Sequence, residues 1–277
     1  MKLVTLRDGQ IGRVADAQVE ILDIDDDLRQ LIAAGVDAAA LPVRATVPLD
    51  GLDLAPPLLP GKVVAIGLNY LDHCREANVD PPVAPMIFAK FPSSVAGPHD
   101  EIVVDRAVTD SVDWEVELGV VIGKRLTRAS RATALEAVFG YTVVNDVSAR
   151  DVQMSEQQWV RGKSLDTFCP IGPWVVTADE VADPQALRLW TTVNGYVMQD
   201  SSTAEMIFGV AELLEYCSHS FTLEPGDLLI TGTPWGVGVV REPPVLLRAG
   251  DTVIVGVDGV GQLANRVVDL PPIAGGG

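Results

Sequence analysis

The 277-residue chain carries 20 basic against 38 acidic residues, a formal charge of −18, and 48% of it is hydrophobic. That hydrophobic share excludes global disorder and leaves ample core for one large domain or two smaller ones. So acidic a surface disfavours nucleic acid and anionic membranes as partners, although a bound cation would still admit an anionic substrate. Cys74, Cys169 and Cys217 follow no CxxC spacing, which argues against a disulfide framework or a zinc knuckle and suits a cytoplasmic setting. Arg7 and Asp8 stand where a signal peptide needs an apolar stretch, and no apolar run is long enough to span a bilayer.

In chain order, residues 2–6 and 11–22 read as strands around the turn signal Asp8-Gly9. A helix follows from Asp25 to Ala34, with Leu28, Leu31 and Ile32 at helical spacing and Gly35 as its stop. The proline-rich stretch Leu52 to Pro60 reads as an extended connector, which sets a small N-terminal domain at 1–58 and a main domain at 59–277. The small piece is short for independent stability and is expected to pack on the rest. Beyond it, 63–66, 102–104, 116–122, 141–147, 174–176, 228–231 and 253–257 are strand-like, and 130–138, 149–159 and 205–218 are helical. Strands and helices do not alternate, so the expected fold is α+β and β-rich, with sheets curled into a roll or sandwich. The tail from Pro271 to Gly277 is expected to fray.

The run Asp113-Trp114-Glu115-Val116-Glu117-Leu118 carries the most chemistry. Alternation along a strand puts Trp114, Val116 and Leu118 on one face and Asp113, Glu115 and Glu117 on the other. Carboxylates at i and i+2 repel one another and need either bulk water or a shared hard cation. Asp146 interrupts the end of a second strand, and Ser148 to Asp151 reads as the capping-box start of a helix. On that helix Arg150 and Gln153 are three apart and share a face; Lys163 lies in the polar stretch that follows. Upstream, His73 and Glu76 are also three apart, so that in a short helix the carboxylate would orient the imidazole as a base. Lys90 and Ser93 are further candidates for the pocket lining. The glycine-rich Gly232 to Gly238 lacks the ending of a nucleotide-binding P-loop and reads better as a substrate-lining loop.

Taken in order, GLNYLDH with RE, DWEVELGVVIGK, NDVSARDVQ, GKSLDTFCPIGPW and GDLLITGTPWGVG resemble the fumarylacetoacetate hydrolase family, in its shorter, acylpyruvate-hydrolase-like branch, from about Gly61 to Val267. The resemblance implies a mixed β-sandwich roll, a homodimer, and Mg²⁺ or Mn²⁺ (with Ca²⁺ also compatible) held by Glu115, Glu117 and Asp146. It implies a water-activating dyad of His73 and Glu76, with Lys163 as a further catalytic group. Arg150, Gln153 and Thr233 fall on its substrate-binding positions.

The chemistry expected from that set is hydrolytic C–C cleavage of a small 2-oxo acid of the acylpyruvate or fumarylacetoacetate type, through a metal-stabilised enolate. The same enolate would also serve the isomerisation of a hydroxymuconate-type dienoic acid or the decarboxylation of oxaloacetate.

Overall fold

The computed structural model describes residues 1–271, so the expectation for the tail falls outside it from residue 272 onward. The strands are β1 (Lys2–Thr5), β2 (Ile11–Ala15), β3 (Gln18–Leu22), β4 (Val43–Pro48), β5 (Val63–Gly67), β6 (Met86–Lys90), β7 (Val95–Ala96), β8 (Ile102–Val104), β9 (Val112–Asp113), β10 (Val116–Ile122), β11 (Val138–Asn145), β12 (Ser148–Ala149), β13 (Cys169–Thr177), β14 (Arg188–Val193), β15 (Tyr196–Ser202), β16 (Leu228–Ile230), β17 (Thr252–Val257) and β18 (Gly261–Asp269). The helices are α1 (Leu28–Ala34), α2 (Leu71–Glu76), α3 (Arg131–Ala134), α4 (Arg150–Ser155), α5 (Val160–Lys163) and α6 (Val210–Ser220). The fold is β-rich α+β, as the sequence suggested.

One long sheet runs β4-β3-β2-β1-β13-β11-β10-β16-β5-β6, and a smaller one runs β15-β14-β17-β18-β8. The segment expected to be continuous strand from 11 to 22 is a hairpin. Asp16, in the left-handed region at φ 54°, turns the chain so that Val14 faces Val19. The 1–58 segment does pack on the rest, and it does so by extending the main sheet. β1 lies antiparallel to β13 with Leu3 opposite Val175. Leu3, Leu28, Leu31 and Ile32 share a core with Val63, Val121 and Ile230. Asp27 caps α1 in a full capping box with Gln30, and Gly35 closes it at φ 65°.

The central hairpin β10–β11 positions the site. Its register sets Val116 opposite Asn145 and Leu118 opposite Val143. Alternation held, but both faces of β10 are covered: all seven of its residues are buried. Trp114 and Val116 pack in the larger core with Leu189, Leu213 and Leu229. The acidic face is therefore not a solvent face. The expected helix 149–159 is shorter than its apolar spacing suggested; α4 ends at Ser155 and a second short helix, α5, carries Lys163.

Candidate active site

Three carboxylates meet at the end of the central hairpin. One oxygen from each of Glu115, Glu117 and Asp146 lies within 4.8 Å of the others, and all three residues are buried. Glu115 and Glu117 reach the point because they are two apart at the start of β10. Asp146 follows β11 directly, and its amide donates to the Glu115 carbonyl at 2.9 Å. Asn145 Oδ1 accepts from the Glu115 amide at 3.1 Å and pins that crossing.

Their surroundings differ. Burial raises the Glu115 carboxyl, but Lys163 and Arg150 outweigh it and hold the group down at about 2. Arg150 Nη1 is 2.6 Å from Glu115 Oε1, and Lys163 Nζ is 2.8 Å from Glu115 Oε2. The same ammonium is 2.8 Å from Asp146 Oδ2. Glu117 is pushed well above the usual carboxylate range, by burial first and then by Asp146 and Glu115. Its Oε2 accepts from the Gly232 amide at 2.7 Å, but its Oε1 is buried with no hydrogen-bond partner. A buried carboxylate oxygen without a partner, beside two more carboxylates, is a donor set that fits a hard divalent cation.

A cavity of about 220 Å³ opens onto this cluster, lined among others by His73, Glu115, Arg150, Gln153, Lys163 and Thr233. Every residue singled out for catalysis or substrate binding reaches it except Glu76, which stands behind His73. The other wall is apolar, with Phe88, Met154, Trp159, Val237 and Val239. Trp159 meets Phe88 edge-on at 5.4 Å between ring centres.

His73 and Glu76 sit on α2, and His73 Nδ1 is 3.1 Å from Glu76 Oε2. The second Glu76 oxygen accepts from the Gly236 amide at 2.8 Å, which fastens α2 to the glycine-rich loop. Asp72 adds a further tie, accepting from Ser201 Oγ at 2.5 Å.

Three expectations need correction. Ser148 does not cap α4. It lies in β12, paired with Asp113, and its hydroxyl donates to the Asp146 carbonyl at 2.9 Å. Asp151 instead collects Thr109 Oγ1 at 2.6 Å and the Asp110 amide at 3.0 Å. Ser93 is exposed and does not line the cavity. Lys90 does not line it either, because it lies beneath the cluster, fully buried, with Nζ 2.5 Å from Asp146 Oδ1.

Reading the sequence also missed Asp113 and Gln199. Asp113 accepts from Arg150 Nε at 2.9 Å and from the Gly238 and Val239 amides, so it aims the guanidinium at Glu115. The alternation of β9–β10 placed Asp113 on the acidic face, and that was the available signal. Gln199, on β15, gave no local signal at all.

The fold sets a buried acidic cluster, consistent with a divalent-metal site, beside a small cavity. Residues 62–268 match the family described as "Fumarylacetoacetate (FAA) hydrolase C-terminal". The chain belongs to the fumarylacetoacetate hydrolase family. It is 51% identical over 217 residues to the mitochondrial oxaloacetate tautomerase FAHD2A of Bos taurus, covering 78% of this chain and 69% of that one. The fumarylacetoacetate hydrolase of the psychrophilic Exiguobacterium antarcticum superposes with a TM-score of 0.88 at 38% identity, over 98% of this chain and all (100%) of that one. The 2-hydroxyhepta-2,4-diene-1,7-dioate isomerase of Mycobacterium marinum does so with a TM-score of 0.80 at 36% identity, over 97% and 98%. Among the described residues no helix is long and apolar enough to cross a membrane.

Proposed function

We propose that this enzyme is a Mg²⁺- or Mn²⁺-dependent tautomerase of small 2-oxo acids, moving a proton between the carbon next to the oxo group and the oxo oxygen of an oxaloacetate-like substrate. The observation that carries this reading is the acidic cluster of Glu115, Glu117 and Asp146 opening, through Glu115, onto a cavity that also holds His73, Arg150, Lys163 and Thr233. Those three carboxylates would hold the cation. When bound, it would supply a Lewis acid that polarises the oxo group and favours negative charge on its oxygen. The 51% identity to a named oxaloacetate tautomerase supports this reaction over its rivals.

The chain's own side chains have matching tasks. With its proton on Nδ1, donated to Glu76, His73 keeps a lone pair on Nε2 that can act as the base. That nitrogen takes the proton from carbon as the carbon–hydrogen bond breaks and its electron pair moves into the enolate. Returning the proton to oxygen completes the enol, and the reverse order gives the ketone. Lys163 donates to oxygen as charge develops there. Arg150 and Thr233 hold the substrate carboxylate, with Gln153 fixing Arg150 Nη1 at 3.1 Å. The apolar wall of Phe88 and Trp159 keeps water from the reacting carbon.

A second reading is hydrolytic C–C cleavage of an acylpyruvate, favoured by the His73–Glu76 contact, since the same base can deprotonate water. The test is to supply enol-oxaloacetate, an acylpyruvate and 5-carboxymethyl-2-hydroxymuconate to the purified protein with Mg²⁺ or Mn²⁺. Metal-dependent ketonisation of oxaloacetate, followed by ultraviolet absorbance, is expected to be fastest. Turnover of the acylpyruvate alone would replace the tautomerase reading with the hydrolase one, and no metal-dependent turnover of any of them would end both.

A further inference from the structure

Gln199 lies in the middle of β15, buried and outside the cavity lining, with every polar atom of its side chain engaged. Its Oε1 accepts from the Val116 amide at 3.0 Å and from Thr191 Oγ1 at 2.8 Å. Its Nε2 donates to the Pro234 carbonyl at 3.0 Å and to Thr233 Oγ1 at 2.9 Å. The orientation of this amide is fixed twice over. A backbone N–H can only donate, so the group facing Val116 must be the oxygen. A proline carbonyl can only accept, so the group facing Pro234 must be the nitrogen.

The consequence falls on Thr233. Its oxygen is already an acceptor for Gln199, so its own hydrogen must point elsewhere, and Thr233 borders the cavity beside His73, Arg150 and Lys163. We infer that Gln199 is a positioning residue that biases the Thr233 hydroxyl toward donating to an anionic oxygen of the substrate, by occupying one of its two lone pairs. A threonine free to rotate could present either its proton or a lone pair, and a lone pair repels a carboxylate. Because Val116 lies between Glu115 and Glu117, the same amide also ties the donor's aim to the strand that carries the acidic cluster. The inference rests on Thr233 binding substrate, as proposed above.

The test measures binding of oxalate, an inert mimic of a 2-oxo acid head, to the Mg²⁺-loaded full chain by calorimetry. A hydrogen bond to a charged group corresponds to about tenfold or more in affinity. Thr233→Val is expected to weaken oxalate by that factor, and Thr233→Ser to keep it. Gln199→Met should weaken oxalate similarly in the wild-type and Thr233→Ser backgrounds, yet add nothing in Thr233→Val. Gln199→Glu keeps the acceptor for Val116 and Thr191. It serves if the Met variant does not fold; at pH 8 its charge repels oxalate in every background, so its loss should shrink in Thr233→Val by the share that passes through the hydroxyl. A loss that persists undiminished in Thr233→Val, or the absence of any loss, overturns the role of Gln199. No weakening by Thr233→Val itself would instead overturn the substrate-binding role assigned to Thr233.

Discussion

Lys90 Nζ lies 2.5 Å from Asp146 Oδ1, with both side chains wholly excluded from solvent. The opposite oxygen of Asp146 faces Lys163, so the carboxylate is gripped from two sides. Lys90 also donates to the carbonyls of Val147 and Lys163, and so joins the end of β11 to the end of α5. Breaking a buried ion pair costs about 3–5 kcal/mol when nothing replaces the lost charge. Lys163 remains in Lys90→Met, so the expected loss sits at or below the lower end of that range. Urea unfolding of the metal-stripped protein measures it, and a variant as stable as the parent would contradict the pairing.

Glu117 is the member of the cluster whose charge the fold tolerates least. Burial and its two acidic neighbours disfavour its ionised form, and one oxygen has no partner. Glu117→Gln is neutral at every pH and can still accept from the Gly232 amide. The metal-stripped variant is expected to melt at or above the parent's temperature, while Mn²⁺ binding and metal-dependent turnover are lost. A lower melting temperature with turnover retained would show that Glu117 is structural.

The same group gives the pH dependence of the metal. With its folded value raised, the stripped protein binds a proton at Glu117 that the unfolded chain has already released. The stability this contributes is full below the unfolded carboxylate range and is lost as pH rises through the raised value. A cation must displace that proton, so Mn²⁺ affinity should rise with pH, by up to about tenfold per unit while one proton is displaced. Glu115, held at about 2, adds nothing to this slope near neutrality. Calorimetry in buffers of different ionisation heat counts the released proton, and a count that stays near zero at every pH above the ordinary carboxylate range would refute the assignment.

Much of this site was legible because its chemistry is local. Period two put Glu115 and Glu117 on one face, and a spacing of three paired His73 with Glu76 and Arg150 with Gln153. What stayed hidden depends on contacts distant in sequence. Lys90 meets Asp146 across 56 positions, and Gln199 meets Val116 across 83. No local pattern distinguishes such residues from surface polar ones. The same holds for the fold: strands 11–15 and 18–22 merged into one expected strand because only Asp16 marks the reversal. Nothing near Leu3 announces that its partner is Val175.

His73→Ala removes the proposed base but none of the groups assigned to the cation or to the substrate carboxylate. A loss of about 10²–10⁴-fold in kcat is expected for proton transfer, with oxalate affinity nearly unchanged. Glu76→Gln should cost less, because the ring keeps a hydrogen-bonding neighbour. It should also loosen α2 from the loop at Gly236, raising KM. Stopped-flow ketonisation separates the two parameters. A kcat for His73→Ala equal to the parent's would move the base elsewhere in the cavity.

Gly162 tests how closely α4 and α5 must approach. A methyl group there would lie 2.7 Å from the Gln153 amide nitrogen and 3.0 Å from the Ala149 carbonyl oxygen, both backbone atoms that cannot swing aside. In an isolated helix Gly→Ala gains up to about 1 kcal/mol. Overpacking of this kind costs about 1–3 kcal/mol, so the net effect of Gly162→Ala is destabilising. The functional cost should exceed the stability cost. Separating the helices draws Lys163, on α5, away from Glu115 and Asp146. The variant is therefore expected to fold with a lowered melting temperature and to show a disproportionate fall in kcat/KM at a temperature where it remains folded. Full activity at that temperature would mean that the α4–α5 spacing does not govern the placement of Lys163.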